Sequence, residues 1–301
     1  MAHLGVTHKT ATFEATSSHL SAGACLALLP NRALELPAFA DAVVAVEESS
    51  APGLRGLFSA LGVAQSPAAL RAGQAAPTGY YYVAVELCYW QVEMGGARWM
   101  AHGERLNLAA SERAEITAAL ASLFATPDAQ LIEHGKGELS LLCEAATPPV
   151  QAAFPDEALG CDLKNMLPTP NVWQRYLNEA QMLLADLSVN RARAARGELV
   201  LNSVWFWGAE PVASAVAPLA LSYHGDDAIL QALCSPESAE SIQIYDYRGL
   251  FGAELAAAIA QLPGAAKLRL NDGRVFQQRV RGGVLRDWWQ RMWAKMQGIW
   301  S

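Results

Sequence analysis

The feature that most restricts the fold of this chain is the order of its strand-like and helix-like segments. Short apolar runs at residues 24–29, 80–87 and 199–207 are typical of strands, whereas residues 111–124 and 169–187 repeat apolar side chains at helical spacing. Helices that alternate with strands along a chain cover the faces of a sheet. The sequence therefore predicts an α/β fold.

The composition indicates a folded chain with a large core. Of the 301 residues, 52% are hydrophobic and 17% are charged, which excludes the low hydrophobicity of a disordered chain. The net charge of −7 excludes a general nucleic-acid-binding surface, because such surfaces carry a basic excess. No apolar run reaches the roughly 18 residues of a membrane-spanning helix.

The amino-terminal residues and the cysteines both favour a cytoplasmic location. The first twenty residues lack the charged start and the apolar centre of a signal peptide. The five cysteines are odd in number, widely spaced and without a C-x-x-C pair, so no disulfide framework is expected. A reducing cytoplasm suits such unpaired thiols.

The domain organisation is predicted from one proline-rich boundary. Thr147-Pro148-Pro149 breaks the alternation of helices and strands. We expect a flexible arm at residues 1–21, an amino-terminal α/β lobe at 22–146, a carboxy-terminal α/β lobe at 150–283, and an amphipathic helix at 284–301.

Three local predictions concern where elements begin and end. A helical pattern opens at Pro37 and continues through the valines of residues 43–46. Ser111 is expected to cap the amino terminus of the helix that follows it. Residues 191–198, rich in arginine, are expected to form a basic turn between a helix and a strand.

Polar and aromatic residues around this turn are candidates for a ligand site. The candidates are Asn178, Glu179, Asn190, Arg191, Arg196, Asn202, Trp205 and Trp207. Guanidinium groups suit a small phosphorylated or carboxylate ligand, so one interpretation is an oxyanion pocket at the carboxyl end of a strand. The other interpretation is a structural corner of Arg–Glu pairs, asparagine turns and buried tryptophan.

His224 is a ninth candidate, because carboxylates stand beside it at Asp226 and Asp227. A functional interpretation makes this loop a metal or phosphate site. The alternative is a solvated turn in which Asp226 caps the next helix. The alternative is favoured, because no other histidine or cysteine cluster offers companion ligands.

One segment resembles a known family. The chain from Asn190 through Arg196-Gly197 to residues 202–208, N-S-V-W-F-W-G, is similar to the N-x-x-R…N-S-[IV]-W-x-W-G segment of relatives of the archaeal-type cofactor-independent phosphoglycerate mutases. The match covers residues 177–208, and bacterial phosphoglycerate-mutase-like proteins resemble it most. The resemblance implies the layered sheet with flanking helices of the alkaline phosphatase superfamily, here truncated or degenerate.

The chain departs from that family at the residues of its chemistry. Pro30-Asn31 stands where the family keeps the aspartate that holds a metal, and no nucleophile pattern occurs in residues 50–80. A two-metal site needs several converging carboxylates and imidazoles. We therefore expect no catalytic residue, no metal and no cofactor, and a non-catalytic binding or regulatory protein. The alternative is an active phosphomutase or phosphatase with a site rearranged around Arg191, Arg196 and His224.

The last predicted helix, residues 284–301, is a candidate interaction surface. Its apolar side chains recur at helical spacing and are Leu285, Trp288, Trp289, Met292, Trp293, Met296, Ile299 and Trp300. The helix can dock on its own domain, on a protein partner or second copy, or on an anionic membrane surface. Between the last two, the protein is favoured, because the helix carries only three basic residues and the whole chain is acidic.

Overall fold

The computed structural model of this chain describes residues 24–29, 43–49, 53–63, 65–210, 220–234, 241–250, 252–263, 266–270 and 274–278. The strands in this part of the chain are β1 (Cys25–Leu29), β2 (Val43–Ser49), β3 (Tyr80–Glu93), β4 (Gly96–His102), β5 (Ala129–Glu133), β6 (Leu139–Glu144), β7 (Ser203–Trp207), β8 (Leu221–His224), β9 (Ile242–Asp246), β10 (Lys267–Leu270) and β11 (Arg274–Gln278). The predicted arm 1–21 and the predicted helix 284–301 lie outside the described residues.

Helices alternate with these strands. They are α1 (Gly53–Leu61), α2 (Pro67–Ala72), α3 (Ala110–Leu123), α4 (Pro155–Ala158), α5 (Asn171–Asp186), α6 (Ser188–Ala195), α7 (Ala228–Gln231) and α8 (Gly252–Ala260). Short 3-10 turns occupy Gly103–Leu106, Gly135–Gly137 and Leu163–Asn165. The predicted α/β character is confirmed, with both parallel and antiparallel strand pairs.

The first sheet has six strands in the order β2-β11-β10-β1-β9-β8. Strand β1 is parallel to β10 and to β9, and β9 is parallel to β8. Leu26 and Leu28 of β1 face one hydrophobic cluster, whereas Ala27 and Leu29 face the other, which α8 covers. A strand covered on both faces reads as a continuous apolar run, and this explains the sequence of β1.

The second sheet is antiparallel and is organised around the long strand β3. Ala84 and Val85 pair with both β6 and β7, and Cys88 pairs with both β4 and β7. Because a strand has only two edges, β6 and β4 follow one another along one edge of β3, and β7 lies along the other. Strand β5 extends the sheet beyond β6.

Strands from both sides of the proline-rich boundary share each sheet. Strand β1 lies between β9 and β10, and β7 pairs with β3. Trp173 Nε1 also donates a hydrogen bond of 2.9 Å to Pro148 O, within the boundary itself. The division into lobes at 22–146 and 150–283 stays a prediction, and each sheet combines residues of both.

Three local predictions are wrong. The valines of residues 43–46 belong to strand β2, which pairs with β11, and not to a helix. Helix α3 begins at Ala110 rather than after Ser111, and Ala109 N donates to Glu112 Oε2 at its start. Of the predicted basic turn 191–198, residues 191–195 belong instead to helix α6, and only residues 196–197 form a turn.

Within the described part of the chain, no helix combines the length and the apolar run that crossing a bilayer requires.

Candidate functional site

The predicted tryptophans lie on β7, the strand that pairs with one edge of β3 in the antiparallel sheet. Trp205 is fully buried and lies 5.1 Å from Trp99, measured between ring centroids. Phe206, on the opposite face of β7, contacts Trp173 of α5 at 5.4 Å. The ring centroids of Trp207 and Phe154 are 4.9 Å apart, and the guanidinium of Arg71 lies over the face of the Trp207 ring. The alternating aromatic run of β7 therefore fills both faces of the sheet.

The two predicted asparagines bridge backbone groups. Asn190 is buried on α6, where its Nδ2 donates to Leu184 O and Leu201 O and its Oδ1 accepts from Leu201 N. Asn202 accepts from Trp90 N at 2.8 Å and donates to Trp90 O at 2.7 Å. These amides hold the corner between α5, α6 and β7, since both ends of each are used within the chain.

The arginines of α6 join one ionic network. Arg193, 1% exposed, lies 2.6 Å from Glu112 Oε2, and Arg196 pairs with Glu112 and Glu198. Burial alone would raise the pKa of Glu112, but the Ala109 N–H group and both guanidiniums lower it. The hydrogen bonds of Glu198 and Glu112 raise the pKa of Arg196. These are Arg–Glu pairs of the kind that the interpretation as a structural corner expects.

A groove of about 670 Å³ runs beside this network, between the start of α3 and α6. Glu112, Glu115 and Glu198 line it together with Arg196. Glu115 Oε1 accepts from Ser188 Oγ at 2.6 Å. Carboxylates outnumber guanidiniums on these walls, so the groove is acidic and does not suit the predicted phosphorylated or carboxylate ligand.

The remaining candidates from the sequence lie apart from this network. Arg191 is exposed and donates to the backbone oxygen of Asp186. On α5, Glu179 lies 3.7 Å from Arg175, and Asn178 is exposed. His224 Nε2 lies 2.9 Å from Gln243 Oε1, and its ring stacks on that of Tyr245 with a centroid distance of 4.5 Å. The structure does not bring these residues together.

A cluster that the sequence analysis did not select lies at the carboxyl ends of the parallel strands. Asp246 ends β9, and Arg248 lies two residues beyond it. Arg248 Nη2 bonds to Asp246 Oδ2 and lies 3.1 Å from Asp227 Oδ2. Tyr223, on β8, donates its hydroxyl to Asp246 Oδ2 at 2.7 Å. We name these four residues the sheet-end cluster.

The ionic state of the sheet-end cluster follows from these contacts. Burial alone would raise the pKa of Asp246, but the hydrogen bond and charge of Arg248 lower it. Burial alone would lower the pKa of Arg248, but Asp246 and Asp227 raise it. Burial and the hydrogen bond to Asp246 raise the pKa of Tyr223. At neutral pH Asp246 is therefore an ionised carboxylate beside the Arg248 guanidinium, and the Tyr223 phenol keeps its proton.

Asp227, and not Asp226, also caps the next helix. Its Oδ1 accepts from Ile229 N at 3.0 Å and from Leu230 N at 3.2 Å. The sequence analysis expected Asp226 in this role, one residue too early. A carboxylate at the first turn of a helix satisfies N–H groups that have no partner within the helix.

The sheet-end cluster does not fit the divalent metal ions that the family resemblance implies. Arg248 already neutralises the carboxylates of Asp246 and Asp227, and its positive charge opposes a second cation at the same oxygens. His224 faces Gln243 and Tyr245 instead of these carboxylates. Among the described residues there is no group of three or more His, Cys, Asp or Glu that could hold a metal ion. Pro30 and Asn31 lie outside those residues.

A signal for the sheet-end cluster was present in the sequence. In an open parallel sheet, ligand-binding residues collect beyond the carboxyl ends of the strands. Asp246 directly ends an apolar strand, and Asp227 follows the preceding strand by three residues. The site predicted at this edge comprised His224, Asp226 and Asp227 and left out Asp246 and Arg248, which follow a different strand.

Solved structures of low similarity to this chain include the following two. The chain is similar to the cofactor-independent phosphoglycerate mutase from Thermoplasma acidophilum, with a TM-score of 0.37 and 13% identity, over 89% of this chain and 92% of that chain. It is also similar to the PH0037 protein from Pyrococcus horikoshii, with a TM-score of 0.37 and 13% identity, over 75% of this chain and 62% of that chain. The sequence matches no protein-family model and no curated protein. We therefore argue function from this chain's own residues.

Proposed function

We propose that this chain is a phosphoglycerate-mutase-like protein that lacks metal-dependent phosphoryl transfer and acts by binding. The segment at residues 177–208 supports the likeness. The proposed absence of phosphoryl transfer is based on one observation, namely that Arg248 lies between Asp246 and Asp227 and pairs with both. A guanidinium supplies the positive charge that these carboxylates need, but it cannot supply open coordination positions to a phosphate and a nucleophile.

The direct test is to remove the guanidinium. We expect Arg248→Ala to be less stable than the parent protein, because Asp246 and Asp227 then repel each other without a counter-charge. Mn²⁺ should raise the melting temperature of this variant by about 2 °C or more, since a ligand that binds only the folded state stabilises it. The parent protein should not respond. Differential scanning calorimetry with and without Mn²⁺ measures both.

The control variant is Arg175→Ala, which removes an exposed ion pair with Glu179 and should leave the Mn²⁺ response of the parent unchanged. The parent is also assayed with 4-nitrophenyl phosphate and with 3-phosphoglycerate in Mn²⁺ or Mg²⁺. Turnover by the parent that Arg248→Ala abolishes would contradict the proposal. It would instead support an active phosphomutase or phosphatase with a rearranged site.

The partner of such a binding protein remains a proposal drawn from the sequence. A small anion at Arg196 has less support, because Glu112 and Glu198 already pair with that guanidinium. We propose instead that residues 284–301 dock on a protein partner or on a second copy of the chain, since eight large apolar side chains on one predicted helix are too much surface to leave in water.

Deleting residues 284–301 should therefore abolish an association of the full-length chain with itself or with a partner. Sedimentation velocity of the full-length and truncated proteins measures self-association, and flotation with anionic liposomes measures lipid binding. A full-length chain that is monomeric, does not bind liposomes and loses stability on truncation would contradict this prediction and would support docking on its own domain.

A further inference from the structure

A small polar pocket lies where one edge of β3 has no neighbouring strand. Strand β6 pairs with β3 as far as Val85, and β4 pairs with it from Cys88 onward. In the described registers, Glu86 and Leu87 pair only with β7, on the opposite edge. The gap opens into a pocket of about 190 Å³, which has room for roughly six water molecules or one small ligand.

A largely buried ion pair forms part of the wall of this pocket. Arg71 Nη2 lies 3.0 Å from Glu86 Oε2, and the two side chains are 10% and 12% exposed. Burial alone would raise the pKa of Glu86, but Arg71 and a hydrogen bond from His102 hold it at about 2. Withdrawing charged groups from water is costly. A buried ion pair that lines a pocket makes that pocket a candidate binding site.

Further charged groups surround the mouth of the pocket. Arg113 donates from Nη1 to Gly137 O at 3.1 Å, and Glu104 and Asp226 are exposed. Glu138 also lines the pocket, so two guanidiniums and four carboxylates face it. A pocket that presents both signs of charge favours a ligand that carries both, and its acidic excess favours a ligand with a net positive charge.

Glycine shapes the rim of the pocket at Gly137. Its φ of +73° lies in the left-handed region, and a Cβ there would lie 2.7 Å from Arg113 Cδ. The absence of a side chain lets the stem of Arg113 lie across the glycine. Arg113 is thereby placed at the pocket with one described hydrogen bond and further N–H groups available.

We propose that this pocket binds a small basic amino acid. The ligand's carboxylate would bond to Arg113 and Arg71, and its ammonium groups would bond to Glu86, Glu104 and Asp226. A carboxylate suits the planar donors of arginine, and an ammonium group suits the remaining lone pairs of Glu86. The site shares no residue with the sheet-end cluster, although Asp226 directly precedes Asp227 in the chain, and it does not rest on the proposed function.

Isothermal titration of the full-length protein with L-lysine at neutral pH tests this inference. We expect saturable heat with one site per chain. Cadaverine keeps both amines but lacks the carboxylate. Its affinity should be at least about tenfold lower than that of L-lysine, because it cannot bond to the arginines. No saturable heat with L-lysine would overturn the inference, as would equal affinity for cadaverine.

Variants at the mouth of the pocket keep the test independent of folding. Arg113→Gln and Glu104→Gln should each weaken lysine binding about tenfold. Arg191→Gln is the matched control, because Arg191 is also an arginine with one described bond to a backbone oxygen, and it should bind lysine as the parent does. Unchanged binding by both pocket variants would overturn the inference. The Mn²⁺ response of Arg248→Ala reports on the sheet-end cluster and can fail separately.

Discussion

Trp205→Ala should lower the free energy of unfolding by about 3–5 kcal/mol, the range for truncating a large aromatic side chain in a core. Trp205 has no exposed surface and contacts the rings of Trp90 and Trp99. Its Nε1 donates to Ala153 O at 2.8 Å, so the substitution also leaves that carbonyl without its partner. Urea denaturation followed by far-ultraviolet circular dichroism measures the change.

Two controls identify the source of this loss. Trp205→Phe keeps most of the ring volume and should cost less than the alanine variant, since it loses the indole hydrogen bond but leaves a smaller cavity. Met182→Ala removes a side chain that is 72% exposed and should change stability by no more than about 0.5 kcal/mol. A loss below about 1 kcal/mol in Trp205→Ala would contradict the burial of Trp205 in the core.

The burial of β7 could be predicted from the sequence because its pattern is local. Tryptophan and phenylalanine alternate over residues 205–207, and a strand sends alternate side chains to opposite faces. Large aromatic groups on both faces require cover on both sides. Helix α5 was predicted equally well, because its apolar residues recur at helical spacing over four turns.

Strand β2 could not be predicted in this way. Its valines fit an apolar helix face as well as a strand over so few residues. The strand state depends on pairing with β11, where Val46 lies opposite Val275. A partner more than two hundred residues away leaves no trace in a local pattern, so tertiary structure decides this segment.

The site residues show the same limit. Asp227 and Arg248 are 21 residues apart and meet only because β8 and β9 are parallel neighbours. The sequence analysis identified the arginines of residues 191–196 but selected Arg191 and Arg196. On helix α6 the side chain of Arg193 points inward. A turn has no regular face, so the predicted turn gave no reason to expect one arginine to be buried.

Arg193→Met should be the most damaging change outside the aromatic core, with an expected loss of about 3–5 kcal/mol of unfolding free energy. Arg193 Nε donates to Leu199 O at 2.8 Å, and Nη2 donates to Leu106 O at 2.6 Å. Methionine keeps an unbranched apolar stem but satisfies neither carbonyl. It also removes one of the two arginines that pair with Glu112. A buried carbonyl left without a donor costs more than its hydrogen bond contributed.

The neighbouring arginine provides the matched control. Arg196 shares Glu112 with Arg193, but its side chain is 47% exposed, so water replaces the contacts that Arg196→Met removes. We expect that variant, and Arg196→Lys, to unfold at nearly the same urea concentration as the parent. If Arg193→Met and Arg196→Met were equally stable, the network would be a surface ion pair. A large difference would instead show that the inward guanidinium, bonded to two backbone carbonyls and a carboxylate, holds α6 against the start of α3.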